Sequence, residues 1–183
     1  MSGFEIPTLR TARLVLRAFG PADAAAVQRH LADADVARNT LTVPHPYPEG
    51  AAAEFITAQD AGWRAGRRAT WAILRAADEA LVGAIGLQLV PAHRRAELGY
   101  WIAKPAWGQG YATEAARAVL DCAFGLLALH RVEAHHFVEN PASGRVMAKA
   151  GMHPEGLRRG AVWRDGVPRD LQAYAILRDD PRS

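Results

Sequence analysis

Between Arg95 and Leu127 the apolar residues change their period, and the change falls on two glycines set one residue apart. The run RAELGYWIA, ending at Ala103, is short and rich in branched and aromatic residues, and it predicts a strand that stops before Pro105. Beyond Gly110, Ala116, Leu120, Phe124 and Leu127, with Val119 and Ala123 beside them, recur at helical spacing, which places them on one face of a helix laid against a sheet. The junction KPAWGQGYATEA, Lys104 to Ala115, therefore sets bare backbone at Gly108 and Gly110 at the mouth of a helix. A helix N-terminus carries unpaired N–H groups and the positive end of the helix dipole, so a phosphate fits where no Cβ obstructs its approach. Two known phosphate motifs do not apply. The dinucleotide fingerprint requires Gly or Ala where Thr113 stands, and the P-loop requires a Gly-Lys-Ser/Thr that the chain lacks. On these residues alone, a plain glycine turn is the competing reading.

The rest of the chain gives that junction its setting. RLVLRAF, Arg13 to Phe19, predicts a strand, and GPADAAAVQRHLAD a helix opened by Pro21 and Asp23. TLTVPHPYPEG, Thr40 to Gly50, has three prolines and no period, which predicts a loop placed to cover a substrate pocket, followed by a helix over Ala51 to Ala65. RATWAILRAADEALVGAIGLQLV predicts an antiparallel hairpin around the tip AADEA, and HRVEAHHFV a further strand. NPASGRVMAKAG predicts a short helix with Asn140 as N-cap, Pro141 at its first position and Gly151 as its stop. The runs AVW near Val162 and DLQAYAIL, Asp170 to Leu177, separated by RDGVPR, predict a closing hairpin. With no repeat or linker, the expectation is one α+β domain over residues 1–183 with a mainly antiparallel sheet.

Composition narrows the function classes. A chain of 183 residues buries about 70% of its unfolded surface, and half of its residues are hydrophobic, so it folds without staples. No apolar run has membrane or signal-peptide length, which makes a cytoplasmic protein with no membrane partner the expectation. Cys122 is the only cysteine, so neither an internal disulfide nor a Cys-based zinc site is available, and its setting AVLDCAFGLL predicts a buried hydrophobe. The net charge of +3 hints at anionic ligands, but the basic spots WRAGRR and LRRG lie apart without interleaved aromatics, which argues against nucleic acid. His135 and His136 point to opposite faces of a strand, and no His-x-x-x-His or Glu-x-x-His pair exists, so no metal site is expected.

Five segments, LRTARLVLR, WAI with LVGAIGL, AELGYWI, WGQGYATEA and ENPASGRVMAKAGM, stand in an order and spacing that resembles the GNAT acetyltransferases. The likeness is greatest to the RimJ/RimL type of ribosomal-protein N-terminal acetyltransferase. It spans Leu9 to Leu177, and its most specific pieces are the glycine turn and the run N-x-x-S-x-x-V-x-x-K-x-G from Asn140 to Gly151. The resemblance implies a twisted, mainly antiparallel sheet that splays at its middle strands, with flanking helices and acetyl-CoA in the gap. It implies that Gly108, Gln109, Gly110, Tyr111, Ala112 and Thr113 hold the pyrophosphate of coenzyme A. Backbone groups of Trp101, Ile102 and Ala103 would bond the pantetheine arm, and an N–H there would stabilise an oxyanion. Asn140 would reach the cosubstrate from the opposite lip, with Ser143 near the thioester and Lys149 either approaching the cosubstrate or capping its helix. Homodimers are common in the family.

Acetyl transfer needs an amine that has lost its proton and a way to stabilise or protonate the departing thiolate. Strand alternation puts Glu97 and Gly99 on one face and Leu98 and Tyr100 on the other, which makes Glu97 the candidate base; the competing reading pairs it with Arg94 or Arg95. Ser143 is the candidate acid toward sulfur, or only a helix starter. Glu114 is read as favouring its helix N-terminus, Trp107 as packing under the turn, and His45 and Trp71 as acceptor-side or ordinary loop and core residues. The function expected is transfer of acetyl from acetyl-CoA to a primary amine, a protein N-terminus or a small molecule, by direct attack in a ternary complex. A non-catalytic acyl-CoA sensor or interaction module is the alternative, separated from it by whether a carboxylate opens onto the thioester.

Overall fold

A computed structural model describes residues 6–181. Its sheet is built from β1 (Leu9–Arg10), β2 (Leu14–Arg17), β3 (Arg68–Arg75), β4 (Leu81–Val90), β5 (Arg95–Ile102), β6 (Arg131–Phe137), β7 (His153–Arg164) and β8 (Val167–Leu177). The helices are α1 (Ala24–Leu31), α2 (Ala34–Arg38), α3 (Ala51–Arg64), α4 (Tyr111–Phe124) and α5 (Pro141–Lys149). The strand order is β1-β2-β3-β4-β5-β6-β8-β7. Every neighbouring pair is antiparallel except β5 and β6, which α4 joins as a crossover.

That one parallel pair is short. β5 is bonded to β4 along its whole length and β6 to β8 along its whole length, yet the two meet only from Arg95–Arg131 to Leu98–Ala134. Past that point each strand follows its own antiparallel partner, and the sheet opens. The GNAT-like splay expected from the sequence is present.

Helices cover both faces. On one, Ala115, Ala116, Val119, Leu120 and Ala123 of α4 pack with Leu14, Leu16, Trp71, Ile73, Ile85 and Leu87, all nearly or fully buried. Each such large side chain withdrawn from water contributes about 1.5–3 kcal/mol. On the other face, Val27 and Leu31 of α1, Val36 of α2 and Ile56 of α3 pack on Ala72, Leu74, Ala84 and Trp101. Trp71 is a core residue, with no exposed surface and its indole N–H donated to Pro7 O at 2.7 Å.

Three elements differ from the sequence expectation. The first helix, expected to end at Asp33, is followed by a short α2 that the sequence reading did not include, because the Asp33 carboxylate accepts from Asp35 N–H and caps a new helix. The long helix ends at Phe124, with Gly125 as its C-cap. The closing hairpin is much longer than its apolar runs: β7 begins at His153, and only Asp165 and Gly166 form the turn, both at positive φ as a two-residue hairpin turn requires. β7 is almost wholly exposed and its register shifts twice, so it carries no alternation to read.

Close packing between β4 and β5 depends on Gly83, where a Cβ would stand 2.4 Å from Trp101 O, a backbone atom that cannot swing aside. Gly83→Ala is expected to lower the unfolding free energy in urea by about 1–3 kcal/mol, the usual cost of overpacking; an unchanged midpoint would show that β5 gives way freely.

Candidate active site

The split between β5 and β6 exposes backbone that a closed sheet would use. Ala103 N–H donates to Val82 O on the β4 side, and strand alternation then turns the amides of Tyr100 and Ile102 toward the side that β6 has left. The Ile102 carbonyl accepts the Trp107 indole N–H at 2.7 Å. The Ile102 N–H and both backbone groups of Tyr100 face the split beyond the last β6 pair. This corrects the sequence expectation in part: Ile102 is well placed to bond a ligand strand, whereas Trp101 and Ala103 turn their backbone to β4, and Ala103 lies outside the cleft wall. Trp107 is 41% exposed, so it fixes the turn through that one hydrogen bond and not by burial.

At the end of the split stands the start of α4. Gly108 and Gly110 have φ of 74° and 80°, left-handed values that glycine adopts without strain. The first intrahelical bond runs from Glu114 N to Gly110 O, so the N–H groups of Tyr111, Ala112 and Thr113 have no partner within the helix, and Gly110 brings no side-chain cap. Gly108, Gly110, Tyr111, Ala112 and Thr113 all line a cleft of about 350 Å³. Gln109 does not; its carbonyl accepts from Arg13 Nη1 at 3.0 Å and its side chain donates to Pro105 O.

The opposite lip is α5. Asn140 caps it, accepting from Ser143 N at 3.3 Å. Ser143 Oγ lies 2.7 Å from the hydroxyl of Tyr100, a phenol that burial pushes up to about 12. Arg145 and Lys149 line the same cleft, so two cations face the positive end of α4 across a space suited to an anion. Neither Tyr100 nor Arg145 stood out in the sequence. Helical spacing from Lys149, four residues further on and already expected near the cosubstrate, would have found Arg145; Tyr100 needed the register of β5.

A second cavity of about 740 Å³ lies on the α1–α3 side of the sheet and shares Asn39, Thr40, Tyr100, Trp101 and Ser143 with the first. Its walls include the irregular segment 39–44, so the proline-rich region does border a pocket, although His45 itself lines neither cavity. Glu97 lines it too. Its partner is neither Arg94, which binds Ala128 O, nor Arg95, which pairs with Glu133, but His135, whose Nδ1 stands 3.4 Å from Oε1. That hydrogen bond outweighs partial burial and holds the half-exposed Glu97 carboxyl below its ordinary range. The His135 side chain is 9% exposed, and its Nε2 is buried without a partner among the described residues. Cys122 is buried within α4 with its thiol pushed up to about 11, which keeps it protonated and inert.

Glu114 does more than favour a helix end. Its carboxylate accepts from Thr11 Oγ1 at 2.6 Å, from Arg13 N at 2.9 Å and from Arg13 Nε at 2.7 Å, tying the β1–β2 turn to the first turn of α4. Arg13 also lies over the Tyr111 ring, 5.0 Å from its centre.

Comparison with known proteins agrees with this geometry. A family model described as an acetyltransferase (GNAT) domain matches residues 13–153. An uncharacterized N-acetyltransferase of Bacillus subtilis, YoaA, is 33% identical over 178 residues, covering 94% of this chain and 97% of that protein. The crystal structure of a GNAT-family acetyltransferase from Bacillus anthracis has a TM-score of 0.85 at 27% identity, covering 94% of this chain and 99% of that one. Mycobacterium smegmatis RimJ in complex with CoA-disulfide has a TM-score of 0.81 at 30% identity, covering 93% of this chain and 86% of that one.

Burial raises the Glu114 pKa, but the hydrogen bonds from Thr11 and Arg13 overcome it, and the folded value lies below the ordinary 4.5. Its share of stability is therefore complete above that value and is lost as pH falls through the folded pKa. Glu114→Gln is expected to cost about 1–2 kcal/mol at neutral pH and to flatten the acid-side decline of the urea midpoint. An acid limb as steep as wild type would place the linkage elsewhere.

Proposed function

The chain belongs to the GNAT acetyltransferases and is an N-acetyltransferase with acetyl-CoA as its cosubstrate; from that premise we propose that it acetylates a primary amine by direct attack in a ternary complex. The observation that carries this reading is the meeting of the two cavities at Tyr100, Trp101 and Ser143. The smaller cleft suits the coenzyme: unpaired helix amides and two cations for its diphosphate, and a strand edge at Tyr100 and Ile102 for its amide-bearing arm. The larger cavity takes the acceptor. We assign it a protein N-terminal amine or a small-molecule amine, and the RimJ/RimL-like branch, supported by 30% identity to M. smegmatis RimJ. The absence of any described helix long and apolar enough to span a membrane is compatible with a cytoplasmic site of action.

When bound, acetyl-CoA supplies a thioester carbonyl open to a neutral amine and a sulfur that leaves as thiolate. Glu97, ionised at neutral pH, attracts an ammonium into the larger cavity and takes its proton directly or through water. His135 holds that carboxylate in place. Ser143 stands where the cavities join and passes to sulfur the proton that the attacking nitrogen gives up as the amide forms, so that its own hydroxyl is restored; the Tyr100 phenol, which stays protonated throughout the working range, holds that hydroxyl in place. Asn140, by capping α5, sets the position of Ser143. A carboxylate opening onto the acceptor side is what a non-catalytic sensor would lack.

Three measurements test this. Gly110→Asp puts a negative side chain where the diphosphate lies, at a φ that only glycine adopts freely, and should weaken calorimetric acetyl-CoA binding about tenfold or more. Unchanged affinity would refute the placement. Glu97→Gln should reduce kcat roughly a hundredfold while leaving acetyl-CoA affinity close to wild type, and rates near wild type would make Glu97 structural. A thiol-release screen of wild type over serine-initiated peptides, spermidine, amino acids and an aminoglycoside identifies the acceptor; no release with any amine would sink the activity.

A further inference from the structure

Arg164 ends β7, and it is only 9% exposed. All five guanidinium hydrogens are engaged. Nη1 donates to the carbonyls of Thr40 and Leu41, Nη2 to those of Ala37 at 3.1 Å and Val43 at 3.0 Å, and Nε to the Asp165 carboxylate at 3.3 Å. A buried charge is costly unless its hydrogen-bonding capacity is filled, and the planar fork of arginine is the side chain that can gather several fixed acceptors at once. The four carbonyls belong to the C-terminal end of α2 and the segment after it, where helix geometry leaves oxygens unsatisfied and the dipole favours a cation.

The segment they come from matters because residues 39–44 wall the larger cavity, while Asn39 and Thr40 also reach the cleft. No helix or strand fixes this stretch. Its backbone path is set by a side chain more than 120 residues further along, at the tip of a hairpin that lines neither cavity at that point.

We propose that Arg164 is a positioning residue for the acceptor: it draws the carbonyls of 37, 40, 41 and 43 around one guanidinium and so holds segment 39–44 as a fixed wall of the larger cavity. This rests on the reading that the larger cavity receives the amine. Fit for the acceptor, and not grip on the coenzyme, is what Arg164 sets. Lysine, with three donors and no fork, keeps the charge but cannot reach all four carbonyls.

Arg164→Lys and Arg164→Gln are the tests, with the lysine variant included because it retains the buried cation if the glutamine variant fails to fold. Hydrogen exchange across residues 37–44 of the free protein should quicken about tenfold or more in the variants, with Lys less affected than Gln, while the amides at the start of α4 keep wild-type rates. With whichever amine of the thiol-release screen (serine-initiated peptide, spermidine, amino acid or aminoglycoside) wild type turns over, acceptor KM should rise about tenfold and the acetyl-CoA KM should stay within about twofold. Unchanged exchange in 37–44, or acetyl-CoA KM rising in step with acceptor KM, overturns the proposal. No turnover by wild type with any amine of that screen sinks the acetyltransfer reading and this acceptor role with it, whereas turnover with an unmoved loop sinks the latch alone.

Discussion

Two neighbouring strands run parallel, bond for four residues and then part, because each is held along its full length by an antiparallel partner on its outer side. A sheet twists with a fixed hand from strand to strand, and this short parallel pair in its middle is where accumulated twist opens it. What would elsewhere be an exposed sheet edge becomes the wall of a cleft. The amides of Tyr100 and Ile102 are left to bond something that lies along them as a strand would, and the crossover helix α4 brings its unpaired first turn to the end of the same opening. One failure of pairing thus creates both the groove and its opening onto the unpaired amides of α4.

The remaining structure keeps that opening in shape from three sides. Glu114 and Arg13 tie the first turn of α4 to the β1–β2 turn, and Trp107 ties the glycine turn to the end of β5. On the far lip the Asn140 cap and the Tyr100–Ser143 contact fix α5 against β5. Along the larger cavity the wall at residues 39–44 has no regular structure of its own, and Arg164 supplies from the C-terminal hairpin the hydrogen bonds that a helix or strand would have made internally. Secondary structure thus frames the smaller cleft, whereas the irregular wall of the larger cavity is bonded by one side chain.

Local signals in the sequence carried the parts of this arrangement that depend on local physics. The period change at Gly108 and Gly110, the Asn140 cap and the tip at residues 76–80 are each decided within a few residues, and each was legible. Pairing is not local. That Ile102 and Tyr100 face the split, while Trp101 and Ala103 face β4, follows from a register that no single strand specifies. The same holds for His135 beside Glu97, for Tyr100 beside Ser143 and for Arg164 beneath residues 37–43. The first part of strand β7, before the run at Ala161–Trp163, was missed for a different reason: it lies exposed at the sheet edge with glycines at 156 and 160 and shifts of register, so burial never imposed a period on it. The family likeness carried function further than composition could, since twenty-two cations against nineteen anions hinted only at an anionic ligand.

If unpaired amides in a divided sheet receive coenzyme A, its addition to nitrogen-15-labelled protein must move their resonances first. Titration followed by amide shift mapping should give the largest changes at Tyr111, Ala112 and Thr113, with a second group at Tyr100 and Ile102. Shifts confined to other surfaces, with those five amides fixed at saturation, would contradict the account at its root.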